Sequence, residues 1–136
     1  MATLPVAYRN ELVDLFSSKW DLGSGQATIQ CRNGVKPAAT SDAATGTLLV
    51  TFTLSDPGWA GAVAGVANLD VTPAISALGV AAGTVTWARV IAPDGSVACD
   101  LVAGAAGAGV ELVFDNPVIA IGQTVNLTVG TITQPA

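Results

Sequence analysis

The chain has 136 residues with only ten acids, five bases and no histidine, a net charge of −5 and a mean hydropathy of +0.57. A typical soluble domain is about a quarter charged, so this composition predicts one small domain with large neutral surface areas of the kind that meet another protein. The five scattered cations (Arg9, Lys19, Arg32, Lys36, Arg89) argue against direct nucleic-acid binding, and the missing histidine removes the usual general base, triad partner and metal ligand.

Tyr8, Leu12, Leu15 and Phe16 recur at the spacing of one helical face, while Arg9, Asn10, Glu11, Asp14 and Lys19 fall mostly elsewhere. This predicts a helix from about Val6 to Lys19. Pro5 suits its start, and Asp21 to Gly25 supplies the glycines that end it. Residues 1–25 are therefore read as an N-terminal arm and helix, and 26–136 as the β domain, together one globular unit.

Beyond Gly25 the period changes to two. Ala27, Ile29 and Cys31 alternate with polar residues up to an Asn33-Gly34 turn. Val35 to Gly46 lacks an apolar period, which predicts an exposed connection available for contacts. Leu48, Val50, Phe52 and Leu54 line one face of the clearest strand, with Leu49, Thr51 and Thr53 on the other, and it ends at Ser55 to Gly58. A weak strand is expected near Val63 to Leu69, and Val71 to Gly83 reads as loop or irregular strand.

Thr84 to Ile91 and Ser96 to Leu101 flank Ala92-Pro-Asp-Gly95, a hairpin signature. In the first of these strands Val85, Trp87, Arg89 and Ile91 share a side. Ala103 to Gly109, only alanine and glycine, is expected to be a loop. Val110 to Phe114 is then a strand, and Gln123 to Ile132 the last one, with Val125, Leu127 and Val129 on one face. Short strands separated by frequent turns predict a mainly β, antiparallel β-sandwich or jelly-roll-like domain with one N-terminal α-helix.

Alanine makes up 24 residues, so the hydropathy overstates the apolar bulk. The neutral regions of interest narrow to 57–69 and to the uncharged tail after Asp115, where neighbours are expected to cover the domain. That tail carries too many polar and helix-breaking residues for a membrane span, and no secretory signal is visible at Met1 to Pro5. Cys31 and Cys99 lie on strand patterns and are expected as small buried hydrophobes. An inter-strand disulfide is the alternative in oxidising surroundings.

No catalytic, metal-binding or cofactor-binding residues are expected. The nearest approach to chemistry is a paired-carboxylate reading of Asp94, Asp100, Glu111 and Asp115, but most of these fit turns and strand ends. Trp87 reads as core. Trp59, in Pro-Gly-Trp-Ala-Gly, reads as an exposed loop-tip aromatic. It joins Tyr8, Leu12, Leu15 and Phe16 as a candidate protein-contact residue. A carbohydrate- or receptor-binding β-sandwich would use Trp59 and the acidic loops.

The order of motifs resembles a group of small proteins of tailed bacteriophages and prophages. The residues that carry the likeness are Tyr8-Arg9-Asn10, Pro37-Ala38, Thr45 to Ser55, Gly83 to Arg89, Asp94 to Val97 and Gly122 to Val125. The resemblance implies a virion structural protein, assembled in the bacterial cytoplasm. By size and β content a capsid decoration or cement subunit is expected, with tail, neck or fibre subunits as the alternative. Its partners would be the major capsid protein, other virion proteins or further copies of itself, with no nucleic acid and no membrane. The N-terminal 20 residues are expected to matter more for incorporation than for folding.

Overall fold

The computed structural model describes residues 3–133. Helix α1 (Val6–Ser18) runs into a 3-10 turn (Lys19–Asp21). Strands β1 (Thr28–Arg32), β2 (Leu48–Thr53), β3 (Val66–Asn68), β4 (Ile75–Leu78) and β5 (Gly83–Thr84) follow. The remainder are β6 (Trp87–Ile91), β7 (Val97–Ala105), β8 (Leu112–Phe114), β9 (Val118–Ile119) and β10 (Thr124–Thr133). No helix among the described residues is long and apolar enough to cross a membrane.

The main sheet has the order β2-β1-β6-β7-β8-β10, with β3 and β4 both pairing with β10, while β5 and β9 form a separate ribbon. Period-two apolar patterning places Ile29 and Cys31 of β1 opposite Val90 and Ala88 of β6 and Phe52 and Val50 of β2, all on one face. That face is the core, continued by Cys99 and Leu101, Leu112 and Phe114, and Val125 and Leu127. Phe52 of β2 packs on Phe114 of β8 at 5.9 Å although β1, β6 and β7 lie between their strands. Near the end of β4 the Val80 amide donates to the Leu49 carbonyl at 2.8 Å. The sheet therefore curls around its own core, and the fold is mainly β and sandwich-like with one N-terminal helix.

Three expectations need correction. The sheet is mixed, because β7 and β8 run parallel, with Ala103 opposite Leu112 and Ala105 opposite Phe114. The chain doubles back between them through Gly107 and Gly109, both at positive φ, which only glycine adopts without strain. The Ala/Gly run is thus part strand, and its small residues permit a parallel return far shorter than a helical crossover. In β10 the register shifts between Leu127 and Val129, so Val129 turns outward. Gly130 is buried instead, where a Cβ would lie 3.1 Å from Leu69.

The third correction concerns residues 33–47. Their surface is largely exposed, yet they form a strap across the outer face of β6. The Trp87 indole donates to the Asn33 carbonyl at 3.1 Å, and Thr86 Oγ1 donates to the Gly34 carbonyl at 2.7 Å. Arg89 Nη1 donates to the Asp42 carbonyl at 2.9 Å. The strap's ends close on each other where Gly46, φ 73°, leaves room that any Cβ would take from the Asn33 carbonyl. Trp87 is buried, as expected, but beneath this strap and on the opposite side of the sheet from Ala88 and Val90.

Candidate interaction surface

Helix α1 is amphipathic in the reverse of the usual sense. Val13, Ser17 and, one turn further, Trp20 face the β domain and are buried. On the same side two polar residues one turn apart serve as acceptors for a distant loop. Asn10 Oδ1 accepts from the Gly65 amide at 2.7 Å, and Asp14 Oδ1 accepts from the Ala62 amide at 2.7 Å. The Asp21 carboxylate adds the Gly58 amide at 3.3 Å. Segment 58–65 makes a tight turn, with Ala64 and Gly65 at positive φ, whose outward amides need acceptors that its own small side chains cannot supply.

With Asn10 and Asp14 bonded to the body, the helix shows its larger apolar side chains to solvent. Tyr8 is 57% exposed, Leu12 44%, Leu15 59% and Phe16 40%. Phe16 marks the border of this face, with its ring edge-on to Trp20 at 5.9 Å. The four residues form one contiguous stripe at i, i+4, i+7 and i+8, flanked by Arg9, Glu11 and Lys19.

Trp59, the fifth candidate, is not on this surface. It is only 6% exposed and packs edge-to-face on Trp20 with ring centroids 4.4 Å apart. Its strand-like bridge to Leu69 turns the loop tip inward, so the aromatic on which a sugar-binding reading depends is core. Part of the 57–69 region is held against α1 of the same chain, while Ala60, Gly61, Val63 and Ala64 remain exposed. Trp20 also corrects the expected division of labour at the N-terminus, because removing residues 1–20 would take a fully buried indole out of the core.

Three of the four carboxylates considered for chemistry have a local structural partner. Asp94 accepts from the hydroxyl and amide of Ser96, which holds its pKa below the ordinary carboxylate value. Asp100 makes a two-pronged pair with Arg89, with Nε and Nη2 each 2.8 Å from a carboxylate oxygen. Glu111 accepts from the Val102 amide at 3.0 Å. Among the described residues no three His, Cys, Asp or Glu side chains converge as a metal-ligand set.

The two cysteines are free thiols on strands separated by β6, with Cys31 opposite Ala88 and Cys99 opposite Val90. Burial pushes both thiols well above the ordinary cysteine value, and at Cys99 the charges of Asp100 and Glu111 add to it. The indoles of Trp20 and Trp59, the helix acceptors Asn10 and Asp14, and the Arg89–Asp100 pair carry the structural roles that periodicity alone does not reveal. Of these, the sequence displays the i, i+4 spacing of Asn10 and Asp14, which reads equally well as a solvated face.

Compared with known proteins, the chain matches no family model, no curated protein and no solved structure.

Proposed function

We propose that the chain is a structural subunit of a phage virion, a capsid decoration or cement protein that docks on neighbouring capsid subunits through the outer face of α1. The motif order described above suggests the class. The observation that carries the contact is the inverted helix, with Tyr8, Leu12 and Leu15 outward while Asn10 and Asp14 bind the body. A surface helix ordinarily buries its apolar stripe in its own core, and one that keeps it in water is suited to a partner's groove.

A cement subunit needs no reaction. It gains stability for the shell by binding the assembled state, in proportion to the mass-action term for a ligand of the native form. Interface energy concentrates in a few buried anchors, and truncating an anchor costs about 2 kcal/mol or more. Tyr8 and Leu15, the most exposed of the four, are the anchors on this reading.

Occupancy on purified particles tests it. A Leu12→Lys/Leu15→Lys double variant is expected to unfold at the wild-type temperature within a few degrees and to lose most of its particle occupancy by cryo-EM. Absence of the wild-type chain from virions, or full occupancy by the double variant, overturns the proposal. Density at the tail, neck or fibres would transfer the same contact to those sites.

A further inference from the structure

We infer that in the free chain the outer face of α1 is covered by the same face of a second copy, the two helices running antiparallel about a two-fold axis at Leu15. The inference rests on the reading of this face as a contact surface, and it names what occupies the face before a particle does.

Residues four apart line up as ridges along a helix surface. Tyr8, Leu12 and Phe16 form one ridge that is apolar throughout, and the neighbouring ridge reads Glu11, Leu15, Lys19. At 3.6 residues per turn Leu15 points away from the buried Val13, Ser17 and Trp20, which puts it at the centre of the outward face. Glu11 lies one turn before it. Lys19 lies one turn after it and still has helical backbone angles, φ −71° and ψ −19°. Both are exposed, and among the described residues neither makes an ion pair within its own chain.

A ridge that is acidic at one end, apolar in the middle and basic at the other is complementary to itself read backwards. In the commonest class of helix contact, ridges of this spacing pack along one another with the axes crossing at about 50°. With the chains running in opposite directions, Glu11 of each copy then meets Lys19 of the other, and Leu15 sits between them beside the apolar ridges. The parallel arrangement sets Glu11 against Glu11 and Lys19 against Lys19, like charges at both ends. Charge therefore selects both a second copy as the occupant and the direction in which it lies.

The other charges of the helix stay off this contact. Asp14 is bonded to the Ala62 amide and Asp21 to the Gly58 amide, both towards the body, and Arg9 is half-buried on the flank. Four apolar side chains and one charge of each sign per copy put the contact in the class below about 1,200 Å² of total buried area, which is weak and concentration-dependent. The same residues cannot hold a second copy and a particle at once, so docking separates the pair.

Analytical ultracentrifugation of the full chain in low salt and without particles, from micromolar to near-millimolar, tests this. The wild-type mean mass is expected to rise towards twice the chain mass and to stop there. Glu11→Lys and, separately, Lys19→Glu put like charges together at both ends of the contact and are expected to raise the dissociation constant at least about tenfold. The double variant Glu11→Lys/Lys19→Glu restores opposite charges and is expected to pair within about threefold of wild type. An equimolar mixture of the two single variants is expected to pair as well, because each supplies the charge the other lacks.

Thermal unfolding of each variant establishes that it is folded, and Glu11→Gln or Lys19→Gln, with pairing weaker than wild type expected, replaces any reversal that is not. A wild-type chain that stays monomeric, growth past the dimer, single reversals that pair like wild type, or a double variant or mixture as weak as the single reversals would each overturn the inference. So would cryo-EM density for two copies joined through α1 on a particle. Pairing is read without particles, and absence of the chain from virions leaves it unchanged, so this inference and the particle-docking proposal fail separately.

Discussion

Arg89 and Asp100 face each other on the outer side of the sheet with side chains 7% and 3% exposed, and the guanidinium also lies 5.6 Å from the Trp87 ring centroid. The hydrogen bond to Asp100 raises the Arg89 pKa, ahead of the opposing effect of burial. A buried pair of this kind adds little net stability relative to an apolar pair, yet losing one partner leaves an uncompensated charge and costs about 3–5 kcal/mol. Arg89→Met is accordingly expected to lose that amount in chemical denaturation, and Arg89→Met/Asp100→Leu to recover much of it. A second residue, Asp21, titrates in the opposite sense from most carboxylates. Burial raises its pKa, the Gly58 amide opposes this, and the charge of Asp56 adds to the rise. Because the folded chain holds this proton to higher pH than the unfolded one, the contribution to stability is present below the ordinary carboxylate value and is lost as pH rises through the raised one. Asp21→Asn retains an acceptor for Gly58 and does not ionise. The melting temperature of Asp21→Asn minus that of wild type should therefore become more positive as pH rises through this interval, and a difference independent of pH would contradict the assignment.

At the scale of elements, α1 has two faces with different physical roles. Trp20→Ala, which empties a fully buried site beside Trp59, is expected to destabilise by about 3–5 kcal/mol. Leu15→Ala, on the outer face of the same helix, should stay within about 0.5 kcal/mol. Denaturant titration of the two variants checks both values. The helix and its span were legible from the period of Tyr8, Leu12, Leu15 and Phe16, but not the face that docks. That choice is made by the amides of Ala62 and Gly65, some 50 positions away, which select Asn10 and Asp14 as acceptors. The same distance effect turned Trp59 inward, since its loop reads as exposed until Trp20 is placed against it. Strand β1 was readable from its clean alternation, whereas Leu49 of β2, expected on the outer face, is buried and β6 is covered on both faces. The bulge at Thr128 and the parallel β7–β8 pair were not readable, because register and strand direction depend on the partner strand. Arg89 looked like a strand residue sharing a side with Trp87, and the strap that buries both has no apolar period to announce it.

For the whole molecule, charge is unevenly distributed along the chain. Acids and bases cluster around the helix, its 3-10 turn, the strap and the β6–β7 hairpin, whereas 71–88 and 116–133 have none. This gap was visible in the sequence as two separate stretches. A clasp of backbone hydrogen bonds at Gly79 joins them beside Gln123. The place of β10 in the sheet has a further consequence, for biosynthesis. It is the ladder partner of β3 and β4 and also borders β8, so it joins segments made well before it. Strands β2, β1, β6 and β7 can assemble in the order in which they leave the ribosome, but β3 and β4 must wait for residues 124–133. During that interval Leu69 and Ile75 lack the strand that shelters them. A nascent chain stalled before Thr124 should therefore be sensitive to protease at residues 66–78 and recruit chaperones, and it should lose both properties once β10 has been released.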